Sequence, residues 1–209
     1  MCSRSPCFSP LTPTSLAAAT NKGAIAAISH TRWATHGEPS ARNSHPITSG
    51  DAAAFTVVHN GIITNFRKLR AFLEEEGQHF ETDTDTEVVP RLCALIHAST
   101  DTPLPFSQLV MQVLKKLEGA YALLVQSVHY PGELVCCRKG SPVVFAVKST
   151  SGAHMRRFRT THDLAGDCFG ASPLECFIAS DDKAIIEHSR VRPPPRPLPS
   201  QCTARPMHV

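Results

Sequence analysis

Short apolar runs of strand length, mixed with stretches of helical spacing and never in a regular β-α-β order, constrain this chain more than any other feature. The pattern is dense from residue 24 to residue 148. Ala24, Ile25, Ala26, Ala27 and Ile28 read as a buried strand. Phe55, Val57 and Val58 run into His59-Asn60-Gly61 and then Ile62, Ile63 and Thr64, which predicts strand, tight turn, strand. Asn65 is placed to cap a helix with Phe66, Leu69, Phe72 and Leu73 on one face and Gly77 past its end. Thr84 and Glu87 have capping-box spacing, but Pro90 moves the start of that helix toward Thr86, with Leu92, Leu95 and Ile96 turned inward. A further helix is predicted over 106–117, with Gly119 as its stop, followed by strands over 120–128, 134–138 and 142–147. Residues 149–175 read as a loop, 177–179 as a short strand and 182–188 as a helix. Hairpin strands mixed with helices in this way indicate an α+β layered fold.

The two ends differ from this middle. Residues 1–23 form an irregular Ser-, Pro- and Ala-rich head, and 24–188 the folded domain. From 189 to 209 prolines at 193, 194, 195, 197, 199 and 206 predict an extended, disordered tail unfit for a helix or a central strand. Pro194 and Pro197 make a single Pro-x-x-Pro pair, the minimum an SH3-like partner would take, and a disordered tail is the stronger reading.

Composition narrows the class. The chain has 209 residues, 42% of them hydrophobic and 19% charged, as in an ordinary globular domain. A net charge of +3 is too small to point to nucleic acid, and the basic residues of 138–159 read as a solvated face. No apolar run approaches the ~20 residues of a membrane span, and the N-terminus lacks the apolar core of a secretory signal. The eight cysteines contain no Cys-x-x-Cys pair, so neither a metal site nor a disulfide framework is expected. Reduced thiols in a soluble, cytoplasmic protein are the expectation.

Three clusters carry the chemistry. His30-Thr31-Arg32-Trp33-Ala34-Thr35-His36-Gly37 stands at the end of the first predicted strand, with Asn43-Ser44-His45-Pro46 close behind. An Arg fork suits a carboxylate, and a Thr hydroxyl and imidazoles add hydrogen bonds around it. Taken singly, Trp33 reads as core, Arg32 as an ion-pair partner and the histidines as surface polar groups. Asn60-Gly61 is first a hairpin signal, but an Asn amide beside a backbone N–H can also meet a developing oxyanion. Asp85 is first a helix cap, and could instead hold a substrate ammonium. Together these groups suit an amino acid attacked at its side-chain carbonyl.

The segments 30–37, 43–46, 59–64 and 84–87 resemble the class II glutamine amidotransferase domain of the glutamine–fructose-6-phosphate transaminase (isomerizing) family. The resemblance continues through Leu117-Glu118-Gly119-Ala120-Tyr121-Ala122-Leu123, 127–132, Lys139-Gly140-Ser141-Pro142 and Ala179-Ser180-Asp181, about two thirds of the chain, in wording that looks eukaryotic. It implies an N-terminal-nucleophile four-layer αββα sandwich and release of ammonia from glutamine for glucosamine 6-phosphate synthesis, at the entry to the hexosamine route to UDP-N-acetylglucosamine. Carried over residue by residue, Arg32, Thr35 and His36 resemble the α-carboxylate pocket, with His45 beside it. Asp85 resembles the holder of the α-amine, Asn60 and Gly61 the oxyanion hole, and Trp33 a residue at the mouth of the ammonia channel. Cys2 resembles the nucleophile, exposed when Met1 is removed and activated by its own α-amine. No metal or cofactor is implied. Self-association would run through family domains outside this segment.

The ends depart from the family pattern. Ser3-Arg4-Ser5-Pro6 stands where the family has a Gly-Ile-Phe strand, the Arg-Gly-Tyr-Asp signature does not occur before His30, and past His188 the proline-rich tail replaces further strands and an isomerase domain. Two functions therefore stand side by side: a glutaminase half with Cys2 as nucleophile, or a non-catalytic remnant that binds glutamine or partner proteins. A nucleophile on so little apolar sequence is expected to be poorly anchored and to turn over slowly or not at all.

Overall fold

The computed structural model describes residues 26–31, 36–50, 52–149, 152–156, 173–186 and 203–208. Its elements, in chain order, are β1 (Ile47–Thr48), β2 (Phe55–Ile63), α1 (Phe66–Glu75), a 3-10 turn (Asp85–Glu87), α2 (Val88–Ala98) and α3 (Phe106–Leu114). Then come β3 (Gly119–Ser127), β4 (Glu133–Lys139), β5 (Val144–Ser149), β6 (Gly152–Arg156), β7 (Pro173–Ala179), a second 3-10 turn (Asp182–Ala184) and β8 (Thr203–His208). All strand pairs are antiparallel, in one sheet ordered β1-β2-β3-β4-β8 and a second ordered β6-β5-β7.

Period-two alternation explains how the layers stack. Phe55, Val57 and Ile63 of β2, Leu123 and Val125 of β3, and Val135 and Cys137 of β4 share one sheet face and pack on the helices. There they meet Leu73 of α1, Val88, Leu92 and Cys93 of α2, and Leu109 and Val113 of α3. The opposite face presents Val58, Leu124 and Leu134, which join Ile28 and Ile178 of β7. The small sheet thus lies against the large one. Its outer face, through Val144 and Ala146, is closed by Ile185 with Phe177 and Ala179 alongside. Helices on one face of stacked antiparallel sheets make the fold α+β, as the residue pattern indicates.

Several local expectations are corrected. Residues 26–31 carry no strand, although Ile28 is buried. Asn60 and Gly61 do not form a turn; they sit inside the continuous strand β2, paired with Ala122 and Tyr121. The glycine serves close approach instead. At Gly61 (φ +130°) a Cβ would stand 2.1 Å from the Ala120 carbonyl oxygen, and at Gly119 (φ +117°) one would stand 2.2 Å from that of Ile62. Gly119 therefore opens β3 rather than stopping a helix, and α3 ends at Leu114.

The side chain of Asn65 does not cap α1; its amide donates to the Lys116 carbonyl, and its Oδ1 accepts from Glu118 N–H. Phe72 lies outside the core, 41% exposed. Thr84 and Glu87 make no capping box, and α2 starts at Val88, which puts Pro90 in its first turn, where a missing N–H costs little. Within 149–175, β6 and the start of β7 pair with β5. Of the helix expected over 182–188, the described residues form a single 3-10 turn at Asp182–Ala184, and 187–188 lie outside the described residues. In the tail, Thr203–His208 forms an edge strand on β4, an edge being where Pro206 is tolerated.

Gly119→Ala should destabilise the protein by about 3 kcal/mol or more, because both dihedral strain and a backbone clash oppose the methyl group. Gly77→Ala, with φ +81° but open space around the new carbon, should cost only about 1–2 kcal/mol. Urea denaturation of the two variants checks the contrast; equal losses would contradict the close approach.

Candidate functional site

Alternation along β2 sends consecutive residues to different neighbours. His59, on the helix-facing side, reaches the 3-10 turn, where its Nδ1 is 2.9 Å from Thr86 Oγ1. Asn60 turns the other way, and its Oδ1 lies 2.6 Å from His30 Nε2. A carbonyl oxygen only accepts, so His30 Nε2–H is the donor and the Asn60 Nδ2 donors are left for other partners. At the strand's end, Ile63 N–H donates to Asp85 Oδ2 at 2.8 Å. This bond ties the acid to the strand that carries Asn60 and Gly61.

The loop that delivers Asp85 is shaped by a buried ion pair. Glu87 accepts backbone N–H bonds from Glu81 (2.9 Å) and Thr82 (2.6 Å), and Arg91 Nε and Nη2 reach the same carboxylate at 3.1 and 3.0 Å. Glu87 is 1% exposed and Arg91 6%, so each charge has exchanged water for these partners. Arg91 also donates to the Ser49 carbonyl at 3.0 Å, under Gly50, where a Cβ would meet its Nη1 at 2.7 Å. Residues 37–43 are clasped to the same loop. Asn43 Oδ1 accepts from Asp83 N–H at 2.9 Å, and Arg42 pairs with the Asp83 carboxylate, holding its pKa below the ordinary value.

A cavity of about 310 Å³ results, lined by His30, Thr31, His36, His45, His59, Asn60, Gly61, Ile62, Thr84, Asp85 and Thr86. Asp85, 3% exposed, is the one carboxylate among these residues. His36 Nδ1 is 3.9 Å from Asp85 Oδ2, and its ring meets Phe66 edge-on. His45 Nε2 approaches Thr86 Oγ1 at 3.2 Å, and its ring centroid is 4.5 Å from that of His30. Burial lowers the pKa of His59 to about 4; Asp85 pulls it up, while His30 and His36 push it further down. It is therefore neutral near pH 7. The cavity thus offers one buried carboxylate and one amide, with a neutral imidazole at His59 beside them.

A second cavity of about 390 Å³ lies between the sheets and shares His30, Thr31, His59 and Asn60 with the first. Cys136 lines it, but burial pushes this thiol up to about 12, so it stays protonated and unreactive near neutral pH.

Of the residues singled out from sequence, His36, His45, Asn60, Gly61 and Asp85 come together around the first cavity. Cys2, Arg32, Trp33 and Thr35 lie outside the described residues. Asp85 does not cap the turn it begins; its carboxylate reaches across to β2. Sequence reasoning missed His59 and Thr86, and it missed the Glu87–Arg91 pair. The four-residue spacing of Glu87 and Arg91 was the available signal for the last.

A family model described as a glutamine amidotransferase domain matches residues 30–153. The chain is 44% identical over 173 residues to glutamine–fructose-6-phosphate aminotransferase [isomerizing] 1 of Arabidopsis thaliana, covering 79% of this chain and 25% of that protein. It is 54% identical over 123 residues to the probable glutamine–fructose-6-phosphate aminotransferase [isomerizing] of Schizosaccharomyces pombe, covering 59% and 18% respectively. It therefore spans about a quarter or less of these relatives' length. The solved glutamine phosphoribosylpyrophosphate amidotransferase of B. subtilis aligns with a TM-score of 0.46 at 22% identity, over 73% of this chain and 32% of that one.

Two outcomes follow from the site's construction. Arg91→Ala should cost about 3–5 kcal/mol in guanidinium denaturation, since it strands the buried Glu87 charge; a loss under ~1 kcal/mol would mean that water replaces the pair. His59 binds its proton near pH 6.5 when unfolded and near pH 4 when folded, so its neutral form contributes stability above pH 6.5 that drains away as pH falls toward 4. Between these limits the unfolding free energy should fall by up to about 1.4 kcal/mol per pH unit, a slope that His59→Gln reduces. An unchanged slope in that variant would assign the effect elsewhere.

Proposed function

The chain belongs to the glutamine amidotransferase domain family, and on that premise we propose that its cavity binds glutamine and releases ammonia from it, as the glutaminase half of a glutamine–fructose-6-phosphate aminotransferase. The observation that carries this reading is the placing of Asp85, a single buried carboxylate, in one small cavity with Asn60 and Gly61. A carboxylate already desolvated suits an α-ammonium, because the charge-assisted bond repays burial of both partners. From the His30 bond, Asn60 keeps Nδ2 for a carbonyl oxygen that gains charge as it is attacked.

The attacking group in this reading is the thiol of Cys2, with its own α-amine as base, since an N-terminal amine has a reference pKa of ~7.7–8.0. Attack on the side-chain carbonyl forms a tetrahedral oxyanion. Collapse expels ammonia and leaves a glutamyl thioester, which water then cleaves to glutamate and free thiol. Burial keeps Cys136 from taking this part. In this reading Arg32, Thr35 and His36 are assigned to the α-carboxylate and Trp33 to the ammonia exit. Fructose 6-phosphate as acceptor follows the names of the whole-length relatives and extends the reading, as do a place in the hexosamine route and self-association through further domains. Among the described residues Cys93, Cys136 and Cys176 carry free thiols, which supports the further proposal of a cytoplasmic setting.

Calorimetry and ammonia release test the proposal together. Asp85→Asn should weaken glutamine binding by about 10–100-fold, the worth of one charged hydrogen bond in a buried site. Asn60→Ala should leave binding within a few-fold and lower turnover by about 100–1,000-fold. Cys2→Ala should abolish turnover and leave binding. Glutamine binding without Cys2-dependent ammonia release in the unaltered chain would instead support the non-catalytic binder, and no binding at all would end both readings.

A further inference from the structure

Thr86 sits where three functional side chains converge. Its Oγ1 is 2.9 Å from His59 Nδ1, 3.2 Å from His45 Nε2 and 3.5 Å from Asp85 Oδ1, and the residue is 1% exposed. A hydroxyl has one hydrogen to give and two lone pairs to fill. Three neighbours and three valences leave few arrangements. A carboxylate is a stronger acceptor than a neutral imidazole nitrogen, so the hydrogen goes to Asp85. The two lone pairs then accept from His59 Nδ1–H and His45 Nε2–H.

We infer that Thr86 is a positioning residue, whose hydroxyl fixes the proton of His59 on Nδ1 and that of His45 on Nε2, and so locks the Asp85 loop to the strand that carries Asn60. The consequence for the site rests on the glutamine-binding reading above. Asp85 would take the α-ammonium and Asn60 the side-chain carbonyl, so the distance between them selects the length of the amino acid. One tie holds that distance at Ile63 N–H and the other at Thr86. With its proton on Nδ1, His59 keeps a lone pair on Nε2, a buried atom with no hydrogen-bond partner among the described residues. The opposite tautomer of His59 would face Thr86 with a bare Nδ1, which would take the one hydroxyl hydrogen and leave none for Asp85.

The test reads the tautomer directly. Nitrogen-15 spectra of the histidine-labelled, ligand-free chain at pH 7 should show His59 protonated at Nδ1 and bare at Nε2. Thr86→Val keeps the shape and removes the oxygen; it should abolish that preference and weaken L-glutamine binding roughly three- to tenfold. Thr86→Ser keeps the hydroxyl and should restore both the tautomer and the affinity to within about twofold. A residue that matters only for packing would lose stability in Thr86→Val with the tautomer unchanged, and that result overturns the proposal. So does a proton on Nε2 of His59 in the unaltered chain, a measurement that needs no variant to fold. If the unaltered chain binds no glutamine, the functional reading fails while the spectrum still decides the role of Thr86.

Discussion

The Glu87–Arg91 pair is the constraint from which the site's geometry follows. A carboxylate at 1% exposure is tenable only with its lone pairs filled, and here two backbone N–H groups and a guanidinium fill them. Those N–H groups belong to Glu81 and Thr82, so satisfying the charge dictates the path of the chain just before Asp85. The same guanidinium holds the Ser49 carbonyl, and thereby the segment that brings His45 down. A hydrophobic pair could fill this volume, but it would not hold two loops in register through directed bonds.

Strand β2 supplies the second half of the frame. Its inner residues Phe55, Val57 and Ile63 anchor it in the core, and Val58 anchors its other face against the second sheet. Held on both faces, β2 cannot slip by one residue without turning the apolar set outward. That rigidity matters most at His59 and Asn60, which use the two faces for different ends. Gly61 and Gly119 let β2 and β3 approach closely, and this contact sets where Ile63 N–H meets Asp85.

Much of this was legible in the sequence, and the omissions have physical causes. The helical spacing of Leu109 and Val113 and the alternation in 119–127 report burial directly, so those elements stood out. Asn60-Gly61 was misread as a turn because local chemistry is the same for a glycine that bends a chain and one that admits a neighbouring backbone; only the partner strand distinguishes them. β6 and β8 are edge strands whose pairing comes from backbone groups of β5 and β4, and a polar or proline-bearing edge leaves no apolar period to read. The residues of the candidate site were legible as residue types, because an Asp, an Asn and several histidines near apolar runs are costly to bury without purpose. Their connections were not. His59 and Thr86 are 27 positions apart, and their bond depends on how a loop returns to a strand.

The electrostatics of the cavity set out what it can accept. Four histidines around one aspartate would attract anions if they were protonated, and their mutual repulsion would compete with the carboxylate for any incoming cation. Burial settles this at His59, which stays neutral down to about pH 4, and its nearness to His30 and His36 reinforces that state. Asp85 is the one carboxylate among these lining residues, and a cation bound there has no imidazolium at His59 opposing it. A neutral imidazole at His59 carries a further benefit: it has one donor and one acceptor, so it can orient a neighbouring hydroxyl in a fixed sense, as at Thr86. On the glutamine-binding reading proposed above, this suits a ligand that brings its positive charge to one end and a polarisable carbonyl to the other.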